Sequence, residues 1–197
     1  LSLVAKRGQA MAVASATTPT GMSAVIGGEI SEIETSLASH GLFAANFNGG
    51  GQLVIAGDKT ALAEFSENPP AGTRVIPLSV AGAFHTPFMA SAVEALRSAA
   101  GPLPVSDPTH ALYTNRDGSI VTSGATFMDF LVDQVARPVR WDLCMEAFEA
   151  DAIQGMMELA PSGALTGLAK RQMKGVPTVA ISTPEDLDKA RALVTGA

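Results

Sequence analysis

Among the 197 residues of the chain, one histidine stands where an imidazole can do chemistry. His85 lies within V-A-G-A-F-H-T-P-F-M, residues 80–89, between an extended apolar run and Pro87, which presets the first turn of a helix. Such a junction can hold a side chain at the mouth of a cleft. The unperturbed pKa of an imidazole lies nearest neutrality, so it can take a proton from a hydroxyl and return it to a leaving group. From the residues alone, His85 is either a general base or a histidine that caps a helix and fills space. No G-x-S-x-G turn stands in the sequence to supply it with a nucleophile.

Arg7, in K-R-G-Q-A-M, sits in an otherwise apolar stretch of small residues where Gly8 leaves room for something to approach. Its guanidinium matches a carboxylate through two parallel N–H bonds, unless it is simply a surface arginine. Asn46, Asn48 and Gln52 offer amides beside a turn, and such residues often serve only the turn. The run Gly49-Gly50-Gly51 is no phosphate cradle, because no G-K-[ST] follows and it joins two strands. Arg137 and Arg140 flank Pro138 at a junction between helices, facing anions or solvent. Lys170 and Arg171 complement a helix C-terminus or dock an acidic partner. His40 and His110 have no ligand or acid pattern around them and read as surface residues. Cys144, in W-D-L-C-M-E-A-F, reads as a small buried hydrophobe. Three scattered histidines and a lone cysteine predict no metal site.

The elements that must position these residues follow from patterning. Leu1–Ala14 reads as a helix with Leu3, Val4, Met11 and Ala14 toward one side. Then come a strand at Met22–Ile26, a helix at Ser31–Ser39 capped by Ser31, strands at Leu42–Phe47 and Gln52–Ala56 joined by a glycine turn, a helix at Lys59–Glu67 and a strand at Thr73–Val80. That β-α-β-β-α-β order is the ferredoxin-like pattern, over residues 21–80. Beyond it, helices are expected at Pro87–Ala100, Thr126–Val135, Trp141–Glu149, Gly163–Lys174 and Pro184–Val194. Short strands are expected at Ala111–Thr114, Gly155–Leu159 (buried) and Thr178–Ile181. Strands alternating with helices predict a parallel α/β arrangement.

Composition narrows the function classes. With 47% hydrophobic and 16% charged residues the chain is an ordinary globular sequence. A net charge of -6 argues against a protein that coats nucleic acid. No apolar run approaches the roughly 20 residues that span a bilayer. One cysteine permits no internal disulfide and suits a reducing cytoplasm.

Six segments in order, K-R-G-Q-A-M, N-F-N-G-G-G-Q-L-V-I-A-G, V-A-G-A-F-H-T-P-F-M, Y-T-N-R-D-G, Q-V-A-R-P-V-R-W and E-L-A-P-S-G-A-L-T-G-L-A-K-R, resemble the malonyl-CoA:acyl-carrier-protein transacylase family over nearly the whole chain. The A-F-H-T and R-P-V-R-W-D-L-C wording is similar to actinobacterial enzymes of type II fatty-acid synthesis. The resemblance implies an α/β-hydrolase-like large lobe, here residues 1–20 and 81–197, with a ferredoxin-like small lobe inserted at 21–80. It implies ping-pong transfer of malonyl from coenzyme A to acyl carrier protein through a malonyl-serine ester, with no metal or redox cofactor. His85 matches the family's base, and the backbone carbonyl of Gln134 orients it in place of a triad carboxylate. Arg7 matches the clamp on the malonyl carboxylate. Phe84, before the histidine, matches a ring that accompanies malonyl preference. Asn46, Asn48, Gln52 and Asn115 match cleft-lining amides, and Lys170 and Arg171 match basic residues that meet the acidic carrier protein.

Two features depart from the family. Its G-P-G turn reads Ala160-Pro161-Ser162, and its G-H-S-x-G elbow and oxyanion-hole glutamine have no counterpart. Both are expected upstream of Leu1, so the chain by itself is expected to be inactive. Alternatives are an acyltransferase domain of a polyketide or multidomain fatty-acid synthase, and a non-catalytic module that binds carrier protein.

Overall fold

A computed structural model describes residues 2–196, so the expected helical Leu1 lies outside the described residues. In chain order the elements are α1 (Ser2–Ser15), β1 (Thr20–Ile26), α2 (Ile30–His40), β2 (Phe43–Gly49), β3 (Gln52–Asp58), α3 (Lys59–Glu67), β4 (Arg74–Leu78) and a 3-10 turn, Pro87–Met89, leading into α4 (Ala90–Ala100). After α5 (Gly124–Asp133) and a second 3-10 turn, Gln134–Ala136, come β5 (Val139–Arg140), α6 (Trp141–Ala150), β6 (Met156–Leu159), α7 (Ala164–Gln172), β7 (Thr178–Ile181) and α8 (Leu187–Thr195). The fold is mixed α/β.

Five strands form one sheet in the order β4-β1-β3-β2-β5, with β1 antiparallel to both neighbours and β5 parallel to β2 through Asn46 opposite Val139. The β2–β3 hairpin turns at Gly50 and Gly51, whose φ of 55° and 75° are both left-handed, the geometry that matches strand twist and favours glycine. Both faces of this sheet are covered, so β1 and β3 are buried almost throughout. On one face Val25, Leu53 and Ile55 pack against Ile33 and Leu37 of α2 and Phe65 of α3. On the other, Met22, Val54 and Ala56 meet Ala83, with Phe84 and Phe88 packed against them. A second core joins α1, α4 and α5 through Met11, Ala14, Leu96 and Val132. β6 and β7 form a separate parallel pair.

Several expectations are corrected. Val4 is 67% exposed, since only Met11 and Ala14 of α1 are fully buried. Ser31 does not cap α2, because the helix begins one residue earlier and Glu29 holds the cap position without a side-chain bond. The expected strand at Ala111–Thr114 reduces to a single bridge between Tyr113 and Ile120. β6 is not buried throughout: Leu159 is 74% exposed, Glu158 is buried and Met156 is half-buried against Met145, Ala169 and Met173. His40 is half-buried, its ring edge-on to Phe65 and its Nδ1 against the Ser36 carbonyl. β5 was not anticipated, and two residues are too few to leave a periodic signal. Among the described residues no helix is long and apolar enough to cross a membrane.

Candidate active site

The turn carrying His85 is pinned from several sides. Ala83 N–H donates to Thr20 Oγ1 at 3.0 Å, and Thr86 Oγ1 donates to the Ala83 carbonyl at 2.6 Å. Thr86 is 1% exposed, and its hydroxyl also accepts from Phe88 N–H at the start of the 3-10 turn. Between these anchors His85 adopts φ 61°, left-handed backbone that a side chain beyond glycine adopts only under constraint. Two carbonyls of the 134–136 turn supply it. His85 N–H donates to Val135 O at 3.0 Å, and ring Nδ1 lies 2.7 Å from Gln134 O.

That contact fixes the tautomer. A carbonyl oxygen can only accept, so Nδ1 carries the hydrogen and Nε2 keeps its lone pair free for a proton. Burial lowers the pKa of His85 below 6.5; the bond to Gln134 opposes this and the field of Arg7 adds to it. The ring is therefore neutral at pH 7, the state a general base requires.

A cavity of about 560 Å³ opens on His85, lined also by Phe43, Ala44, Thr86, Ala90 and Asp133. Arg7, half-buried on α1, is close enough for its charge to act on His85, and its own pKa is lowered by burial. Among the described residues its guanidinium has no ion-pair partner. Gly8, the next residue along α1, is exposed, and a Cβ placed on it would meet nothing within 4 Å.

The other amides gather elsewhere. Asn46, Asn48 and Asn115 line a second cavity of about 340 Å³ with Trp141, Cys144 and Phe148. Asn46 and Asn48 follow Phe43 and Ala44 along β2, so the two cavities lie in sequence along one strand. Gln52 is set apart, accepting from Arg171 Nη2 at 3.1 Å. Lys170 and Arg171 end α7 and are exposed. Phe84 packs between the α1–α4 core and the sheet and does not line the His85 cavity. Of the two arginines around Pro138, Arg140 is bound by Asp142 at 2.8 Å and stacked on Phe47, while Arg137 is exposed at the rim of the His85 cavity.

Sequence reasoning missed Thr86 as an anchor of the His85 turn and Trp141 as a cavity wall. The signal for Thr86 was the H-T-P order, a hydroxyl just before a helix-starting proline. No group of three His, Cys, Asp or Glu side chains able to hold a metal ion occurs among the described residues.

No protein-family model matches the chain. The malonyl CoA-acyl carrier protein transacylase of Mycobacterium tuberculosis is 49% identical over 189 residues, 96% of this chain and 63% of that protein. Its namesake in Mycolicibacterium smegmatis is 47% identical over 192 residues, 95% of this chain and 66% of that protein. The crystal structure of MCAT from Mycobacterium tuberculosis superposes with a TM-score of 0.91 over 95% of this chain and 62% of that one. An acyl-carrier-protein S-malonyltransferase from Burkholderia pseudomallei does so at 0.89 with 31% identity, over 96% of this chain and 64% of that one. The chain thus spans a little under two thirds of the length of these relatives. Its motifs, its fold and these likenesses agree: the chain belongs to the malonyl CoA-acyl carrier protein transacylase family.

Proposed function

We propose that the protein carrying this chain transfers malonyl from coenzyme A to the phosphopantetheine thiol of acyl carrier protein, for fatty-acid biosynthesis in the cytoplasm. The observation that carries this reading is the neutral His85, held by the Gln134 carbonyl with Nε2 free, in a chain 49% identical to such a transacylase. In the first half-reaction Nε2 takes the proton of a serine supplied by the part of the family's length that this chain does not span. The serine oxygen forms an ester with the malonyl carbonyl, the C–S bond breaks, and the proton passes from His85 to the departing coenzyme A sulfur. In the second, His85 takes the proton of the carrier thiol, whose sulfur bonds to the malonyl carbonyl carbon; the ester C–O bond breaks and the proton passes from His85 to the serine oxygen.

Arg7 binds the free malonyl carboxylate. Phe84 narrows the acyl pocket from behind. Asn46, Asn48 and Asn115 line the path of the thioester arm, with Gln52 at its outer end beside Arg171, and Lys170 and Arg171 meet the acidic carrier protein. Thioester exchange is redox-neutral and uses a serine nucleophile, so no electron carrier or metal is called for. In this reading residues 1–20 and 81–197 belong to an α/β-hydrolase-like large lobe, and 21–80 form the ferredoxin-like small lobe. The β4-β1-β3-β2 strand order supports that assignment of the small lobe.

The test is to incubate the full-length protein with labelled malonyl-CoA and holo-acyl carrier protein. Label should appear on a serine in the absence of carrier and pass to the carrier thiol when carrier is added. No covalent label and no malonyl-carrier would refute the reading.

A further inference from the structure

We propose that the Gln134 side chain is a positioning residue: its amide closes the 134–138 turn on that turn's own carbonyls and thereby aims the Gln134 carbonyl at His85. The kinetic consequence rests on His85 being the base; the structural one does not.

In a continuing helix, the carbonyl of residue 134 would accept the N–H of residue 138. Residue 138 is proline and has no N–H, so within the turn this carbonyl accepts only a long bond from Arg137 N–H at 3.4 Å and stays open to His85 Nδ1, 2.7 Å away. The same proline removes the bond that would have held the carbonyl's peptide plane. Beside that long Arg137 bond, the turn is held by the side chain of Gln134, 7% exposed, whose Nε2 donates to Arg137 O at 2.9 Å and to Pro138 O at 2.8 Å. Both amide hydrogens are used, and both acceptors lie in the segment that leads into β5. Since Val139 pairs with Asn46 of β2, the amide also sets His85 against the strand that lines both cavities. A side chain lacking those two donors leaves the Arg137 and Pro138 carbonyls without this partner and frees the 134 peptide to tilt.

Gln134→Met keeps the length and the backbone carbonyl and removes both donors. The direct readout is ring-nitrogen NMR of His85, which needs no turnover. The parent protein should show His85 as a single Nδ1–H tautomer, with slow solvent exchange of the Gln134 carboxamide protons. In Gln134→Met the two tautomers should mix, and the His85 titration midpoint should fall as the carbonyl that raises it drifts away. The charged groups facing the ring, Arg7 on α1, Asp133 at the end of α5 and Arg137 at the cavity rim, are the same in both proteins.

In the acyl-transfer assay kcat should drop by about 10- to 100-fold, the usual penalty for an ångström of misplacement, with KM for malonyl-CoA unchanged. A folded Gln134→Met protein with the parental tautomer and midpoint overturns the proposal. Fast exchange of the Gln134 carboxamide in the parent also overturns it, even if the variant does not fold. Loss of transfer in the parent would instead remove the functional reading while leaving the tautomer result standing.

Discussion

Gln52 and Arg171, 119 residues apart, are joined by a bond from Arg171 Nη2 to Gln52 Oε1 at 3.1 Å, and beside it Gly50 N–H donates to Gln172 Oε1 at 2.8 Å. The tip of the β2–β3 hairpin is therefore tied to the C-terminus of α7. Arg171 remains exposed, so its charge also faces solvent. Arg171→Ala should raise KM for carrier protein several-fold in a salt-sensitive way and leave serine acylation by malonyl-CoA unchanged. Slower acylation would put Arg171 in the cleft and not at a docking face.

Arg7 is a half-buried cation with no ion-pair partner among the described residues. Its replacement by alanine should lower malonyl transfer far more than acetyl transfer, because only malonyl brings a carboxylate to pair with it. The two substrates compared in one steady-state assay decide the matter, and equal losses would remove the clamp.

His85→Ala should slow serine acylation by a factor of about 10² to 10⁴. With burial holding the imidazole below 6.5, the base stays deprotonated further into acid than free histidine. The acidic limb of kcat/KM should accordingly fall below pH 6.5, and a limb above that value would contradict the assignment.

Glu158, 7% exposed, accepts N–H bonds from Gly163, Leu165 and Thr166 at 2.8, 2.9 and 2.8 Å, at the start of α7. Burial pushes its pKa up from 4.5, but the three backbone bonds outweigh it and bring it to about 2. A depressed carboxylate stabilises the fold above its unfolded pKa, and the contribution fades as pH falls from about 4.5 through about 2. Glu158→Gln should cost on the order of 2–3 kcal/mol at pH 7 in urea titrations and flatten the loss of stability across that acid window.

Cys144 is 2% exposed, its thiol near the Thr114 carbonyl, and burial pushes its pKa to about 11. Since the thiolate is the reactive form, iodoacetamide at pH 8 should modify the native protein far more slowly than the protein in denaturant. Rapid native labelling would show that the helix α6 opens readily.

Much of the fold was legible along the chain because apolar periodicity and glycine placement are local properties. Lys59–Glu67 reads from sequence as the helix that forms, and the glycine run reads as the hairpin turn. Gly155–Leu159 reads as a buried strand only because its residues are apolar; pairing with β7 alone among the described strands leaves Leu159 in solvent. Ala111–Thr114 has strand-like residues but only one bridging partner, and pairing, not propensity, makes a strand.

The candidate site divides in the same way. By itself the sequence determined the chemical inventory: an imidazole before a helix-starting proline, a guanidinium in an apolar helix, and Pro138 four residues after Gln134, which withholds a backbone donor. Those follow from residue type and spacing. Only the tertiary structure decided that His85 and Gln134, 49 residues apart, face each other at 2.7 Å, that the ring is the Nδ1–H tautomer, and that Asn46, Asn48 and Asn115 share a cavity next to, and not with, His85. Tautomer, pKa and shared cavity depend on distances between elements, and these are set by how the sheet and helices pack.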